Sequence, residues 1–174
     1  MNIKSLLPDF NAISKTDWSK PQLDTKDKGG IAMLIAAIVM VVAVFMTWTE
    51  YNITLYNRQT FSHSVTGISE WYGVFVLIFG LAAVVGVLYN HKSLVFTAAI
   101  LGLIFGFILA SHYPEAKIGG YYTVNSEATW KELVRQPNVK YHHISHTGKS
   151  AYMVASLVLA IISFRRIKKS ANQE

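Results

Sequence analysis

The sequence predicts an all-α membrane protein: a four-helix transmembrane bundle with a small extracytoplasmic β/α cap formed by loops 1 and 3. Three observations predict it. Of 174 residues, 52% are hydrophobic and 15% charged, against roughly 25% charged in soluble domains. The apolar residues gather in four blocks free of Asp, Glu, Lys, Arg and His. Lys and Arg collect beside the ends of those blocks, as they do where helices meet anionic headgroups.

Residues 1–28 read as a cytoplasmic N-terminal segment. In it Ile3, Leu6, Leu7, Phe10 and Ile13 recur at near-helical spacing, interrupted by Pro8, which fits a short segment on the membrane surface or a solvated tail. The mixed charges from Ser14 to Lys28 predict a flexible linker.

The four-span membrane domain is expected over residues 29–166. A crossing helix needs about 20 mostly apolar residues, each adding about 1.5 Å to a core roughly 30 Å thick. The first span, 31–48, lies too far from Met1 for a cleavable signal. The second and third, 72–89 and 93–111, are separated by Asn90-His91-Lys92 and predict a tight antiparallel hairpin. The fourth, 150–166, is the shortest and is stopped by Arg165, Arg166, Lys168 and Lys169, leaving 167–174 as a cytoplasmic tail.

Of the 16 Lys and Arg residues, ten share a side with both termini and Lys92; six, Arg58, Lys117, Lys131, Arg135, Lys140 and Lys149, lie opposite. The positive-inside bias then gives a multi-pass protein of the cell membrane with cytoplasmic N and C termini. Trp48, Tyr51, Trp71, Tyr72, Tyr113 and Tyr152 fall near the outer boundary, where aromatic rings settle among headgroups.

The outer loops are 49–71 and 112–149. In the first, two stretches rich in β-branched and aromatic residues flank Asn57-Arg58-Gln59 and predict a β-hairpin. In the second, Tyr121-Tyr122-Thr123-Val124 predicts a third strand, and Ser126 to Gln136 a helical segment capped by Asn125 or Ser126 and ended by Pro137.

Two clusters carry candidate chemistry. Ala98, Gly102, Gly106 and Ala110 recur every four residues on the third span, so small residues line one helix face where another backbone can approach closely. The partner surface is the protein's own bundle or a second copy, and Gly73, Gly80 and Gly86 are the expected answering residues. The second cluster is His142, His143 and His146, with His63 and His112 on the same side. Three imidazoles suit zinc or another transition metal, yet the spacing matches no metal template, and exposed loop histidines account for it equally.

Other chemistry is excluded or disfavoured. With no cysteine there is no disulfide, thiolate metal site or Cys nucleophile. The net charge of +6 sits at helix ends, which speaks for lipid and against nucleic acid. Spans without ionisable residues or Pro weaken an ion carrier or pump.

A hairpin after the first of four spans and a longer loop before the last resembles the general plan of claudin-like tetraspan proteins. The likeness covers span order alone. The chain lacks their first-loop cysteine pair and Trp-rich signature, so the resemblance implies an architecture and no functional residue.

The function expected is that of a non-enzymatic integral membrane protein, an accessory subunit or scaffold. It would lie in the lipid bilayer and bind a membrane-protein partner, or form a homo-oligomer, through its helices and outer loops, with no resident cofactor. The alternatives are a small carrier or channel for a neutral or apolar molecule, an outer-face metal sensor, and a toxin-immunity protein.

Overall fold

A computed structural model describes residues 10–24, 26–54, 60–69, 71–111, 116–118, 122–124, 127–136 and 139–171. In chain order the elements are α1 (Phe10–Ser14), α2 (Lys28–Val44), β1 (Thr47–Thr54), β2 (Thr60–Thr66), α3 (Trp71–Leu88), α4 (Lys92–Ser111), β3 (Ala116–Ile118), β4 (Tyr122–Val124), α5 (Glu127–Arg135), β5 (Lys140–Ser145) and α6 (Thr147–Ala171).

The four long helices form a ring in which α2 packs on α3, α3 on α4, α4 on α6 and α6 back on α2. Their side chains are sorted by size. Small residues dominate the core, including Ala36, Ala37, Ala43, Ala83, Ala98, Ala99, Ala155 and Ala160 beside Met40, Val76 and Tyr152. Large aliphatic and aromatic residues such as Ile35, Val42, Ile78, Ile104, Phe107, Val154 and Leu157 stand exposed around all four helices. Two serines buried in α6 are satisfied locally: Ser156 Oγ donates to the Tyr152 carbonyl at 2.9 Å and Ser163 Oγ to that of Leu159 at 2.5 Å. That is the back-bonding serine makes within its own helix.

By length and composition, Thr147–Ser170 is the one helix among the described residues long and apolar enough to cross a membrane. The apolar stretches Lys28–Val44, Tyr72–Leu88 and Lys92–Ile108 are shorter. Two helices also differ from expectation at their ends. The first stops at Val44, before Trp48, because the chain turns into β1 there: the Met46 N–H and the Trp48 indole N–H both donate to the Ala43 carbonyl, at 3.3 and 2.7 Å. The indole thus satisfies a carbonyl that a terminating helix leaves open. The last helix is the longest rather than the shortest, with 25 residues. Its basic run ends the apolar stretch but not the helix, since cations in the last turn suit the helix dipole.

At one end of the bundle β1 is the central strand of an antiparallel sheet ordered β2-β1-β5. The expected hairpin is β1–β2, its turn lying outside the described residues. The third strand is not the one expected. Tyr122–Val124 pairs with Ala116–Ile118 in a separate two-stranded sheet, and the histidine segment Lys140–Ser145 adds to β1. Tyr141, His143 and Ser145 stand in register with Ile53, Tyr51 and Thr49, the last three all buried in β1. The expected short helix is α5, with Leu133 buried.

At the far end the stretch expected as a linker is packed down. Trp18 meets Tyr89 edge-on with ring centroids 4.7 Å apart, the Gln22 N–H donates to the Leu88 carbonyl at 2.8 Å, and Thr16 Oγ1 lies 2.7 Å from His91 Nε2. The turn they cover contains Asn90, whose φ of 57° is the left-handed conformation that asparagine tolerates better than most residues.

Candidate functional site

Three places gather side chains capable of recognition. The first is the small-residue stripe of α4. A Cβ on Gly102 would stand 2.8 Å from Tyr152 Oη and 3.0 Å from Met40 Cε; one on Gly106 would stand 3.0 Å from Met153 Sδ and 3.2 Å from Tyr152 Cε1. Ala98 is buried in the same core. The side chain of Ala110 lies outside the description. The stripe therefore receives α6 of the same chain, with Tyr152 as the inserted group. Its hydroxyl continues across the bundle to donate to the Val76 carbonyl at 3.2 Å. Of the three α3 glycines expected to answer it, Gly86 meets Val95 of α4, Gly80 meets Val41 of α2, and Gly73 meets the turn at Gly67 and Ile68.

The second place is the three-stranded sheet. The register sets Asn52 between Ser62 and His142, and Tyr51 between His63 and His143. His142 and His143 thus hold consecutive positions on β5, with His142 exposed and the side chain of His143 outside the description. His146 follows the strand, its backbone N–H donating to the Trp48 carbonyl at 2.9 Å and its Nε2 lying 3.1 Å from Glu50 Oε2. His112 falls outside the described residues. Among those described, no group of three His, Asp or Glu could hold a metal ion. What this face does present is hydroxyl, amide and imidazole: Thr54 and Thr60 bond side chain to side chain at 3.0 Å, and Ser62 donates to the Asn52 amide oxygen.

The third place lies at the opposite end, and sequence reasoning missed it. The N-terminal segment, the first turns of α2, the α3–α4 turn and the end of α6 line a partly open cavity of about 100 Å³. Asp27 caps α2 by accepting from the Gly29 N–H at 3.1 Å and forms an ion pair with Arg166. That hydrogen bond from Arg166, followed by one from the Gly30 backbone, holds the Asp27 carboxyl below its ordinary pKa. The approach is close: a Cβ on Gly29 would stand 3.1 Å from a guanidinium nitrogen. Across the cavity Lys92 Nζ donates to Ser170 Oγ at 2.8 Å. The sequence signal is present in Asp24, Asp27, Lys92 and Arg166, but Lys92 and Arg166 enter the sequence reading as orientation charges and Asp24 and Asp27 as part of a mixed-charge linker, which says nothing about their mutual contact.

Compared with protein-family models, curated proteins and solved structures, the chain matches none.

Proposed function

We propose that the protein is a non-enzymatic integral membrane protein of four spans, with both termini in the cytoplasm, that serves as an accessory subunit or scaffold. The observation that carries the reading is the sorting of the bundle, with Ala and Gly prominent inside beside a few Val, Met and Tyr, and large Ile, Val, Leu or Phe residues exposed on every long helix. Water penalises such a surface, since soluble monomers seldom expose apolar patches beyond a few hundred Å². Lipid does not, and in lipid close packing of small residues takes over as the force holding helices together. The apolar stretches Lys28–Val44, Tyr72–Leu88 and Lys92–Ile108 are shorter than that of the last helix, and local thinning or snorkelling accommodates short spans in a bilayer.

The partner surface is the outer sheet. Strands β2 and β5 each pair on one side within the three-stranded sheet, and their exposed positions Thr60, Ser62, Ser64, His142 and Ile144 form a mixed polar and apolar face. Such a face suits a protein surface better than a small substrate. Purification from native membranes in mild detergent, with mass spectrometry of whatever migrates in stoichiometric amount, tests this. A defined partner lost on Ser64→Arg supports the reading. A lone protein that transports or turns over a substrate overturns it.

A further inference from the structure

The cavity at the end opposite the sheet has a charge pattern that narrows its occupant. Its polar wall is built from three separated segments: Gln22, Asp24 and Asp27 before and at the cap of α2, Asn90 and Lys92 at the α3–α4 turn, and Arg166 near the end of α6. Two carboxylates face two cations, so the wall is neutral in sum and strongly divided in sign. A simple anion would meet the carboxylates and a simple cation would meet Lys92 and Arg166. A ligand that carries both signs a few ångströms apart meets neither difficulty.

Among the described residues the cations retain donors for such a ligand. Lys92 gives one of its three N–H groups to Ser170. Arg166 pairs with Asp27 through NH2, which leaves most of its five donors in a planar fork suited to phosphate. Asp24 Oδ1 accepts from the Lys26 backbone N–H at 2.9 Å, and a carboxylate has room for about four such bonds. The inner wall of the cavity is apolar, with Leu23, Met33 and Val87.

Resting on the four-span reading, the cavity lies where the apolar surface of the bundle gives way to Lys28, Lys92, Arg165, Lys168 and Lys169, at the depth of the cytoplasmic headgroups. We infer that it binds a phosphoethanolamine group, with Lys92 and Arg166 taking the phosphate and Asp24 and Asp27 the primary ammonium. The ammonium donates hydrogen bonds to carboxylates, which the trimethylammonium of choline cannot do. This separates the site from a merely basic rim, which would favour anionic lipid.

The test uses the full chain, purified in dodecyl maltoside and exposed to mixed micelles holding equal amounts of phosphatidylethanolamine, phosphatidylcholine and phosphatidylglycerol, with bound lipid counted by native mass spectrometry. Phosphatidylethanolamine is expected to be retained about tenfold over phosphatidylcholine, the scale of one lost charge-assisted hydrogen bond. Lys92→Gln and Asp24→Asn should each erase the preference, and Lys92→Arg should keep it with an unchanged melting temperature. Neither Lys92 nor Asp24 belongs to the Asp27–Arg166 pair that ties α2 to α6, so loss of preference with an unchanged melting profile is a binding effect. Soluble glycerophosphoethanolamine that displaces the lipid assigns binding to the headgroup alone. Preference without displacement assigns it to the intact lipid, and both results uphold the site. Equal retention of the two zwitterionic lipids, a preference for phosphatidylglycerol, or a preference unchanged in both variants overturns it. Alkaline carbonate extraction of native membranes separates the two readings, since release of the protein would remove the membrane placement whatever lipid it binds.

Discussion

The hydroxyl of Tyr152 occupies the space that any side chain at Gly102 would need, with a Cβ there falling 2.8 Å from its oxygen. Tyr152 is wholly buried and sits 5.4 Å, ring to ring, from Trp48. It therefore connects the middle of the bundle to the segment where α2 turns into the sheet.

Gly102→Ala should destabilise the protein by about 1–3 kcal/mol, the usual range for overpacking, because a ring fixed between helices cannot swing aside as a methionine can. Tyr152→Phe alone should cost about 1 kcal/mol through its hydrogen bond to the Val76 carbonyl. The double variant should cost less than the sum, since removing the oxygen makes room for the methyl group. Thermal melts in detergent across the four proteins measure the coupling. Strict additivity would mean that the two residues do not meet.

Gly73→Ala should be more damaging than any other glycine-to-alanine change in α3. Its Cβ would fall 2.0 Å from the Gly67 carbonyl oxygen, whereas at Gly80 the nearest atom is a Val41 methyl at 3.1 Å. Backbone in a turn between a strand and a helix has little freedom to retreat, so a loss of about 3 kcal/mol or more is expected at Gly73. At Gly80 the methyl group can give, and the cost should stay below about 1 kcal/mol. Equal melting temperatures for the two variants would contradict the close turn-to-helix approach.

The long helices were legible in the sequence because unbroken apolar runs of this length have few other readings, and the hairpin because β-branched alternation flanks polar turn residues. The helix ends were less legible. Trp48 looked like the end of an apolar run, and only the fold reveals that its indole closes the Ala43 carbonyl from within β1. The pairing of Lys140–Ser145 with β1 was hidden for a different reason: it joins segments far apart in the chain, and one sequence carries no record of long-range register. The stripe of α4 was visible as spacing, but Tyr152 as its insert was not, since Tyr152 had an equally good reading as an interfacial ring. The cavity was hidden because its cations read as orientation charges and its carboxylates as linker, in segments far apart in the chain.

Asp27→Asn should leave the helix cap intact, as asparagine caps as well as aspartate, while removing the charge that meets Arg166. The pair is about a third exposed, so solvent screening limits the expected loss to about 0.5 kcal/mol at neutral pH. The sign of its pH dependence follows from the lowered pKa. A carboxyl whose folded pKa lies below its unfolded value contributes its full stability above the unfolded value, near about 3.9, and loses it as pH falls through the folded one. The stability gap between wild type and variant should therefore be constant from neutral pH to about 5 and close below about 4. A gap that persists at pH 2 would show that the carboxylate charge is not its source.

Replacing His142, His143 and His146 together with alanine should leave the metal content of the purified protein unchanged. Zinc held by protein takes three or four ligands converging at about 2 Å. His142 sits exposed opposite Asn52, one position from His143 on the same strand, and His146 Nε2 already engages Glu50. Elemental analysis by plasma mass spectrometry on both proteins gives the comparison. Stoichiometric zinc present in wild type and absent from the triple variant would require these residues to rearrange into a site.

Trp18→Ala should loosen the N-terminal segment without unfolding the bundle. The ring meets Tyr89 edge-on and lies 6.3 Å from the His91 ring, a contact of a kind that contributes about 0.5–1.5 kcal/mol. Tyr89 Oη also donates to the Trp18 carbonyl at 2.5 Å, and this bond survives the substitution because its acceptor is backbone. The segment should open more often by the factor that the lost ring contact represents, about fivefold for 1 kcal/mol. Trypsin added to the detergent-purified protein reads that opening at Lys15 and Lys20, since a protease cuts the population of open molecules. A fivefold faster cut with an unchanged melting temperature is expected. An unchanged rate would mean that the Leu88 carbonyl and the Tyr89 hydroxyl hold the segment without the ring, and a lowered melting temperature would make Trp18 part of the bundle's own stability.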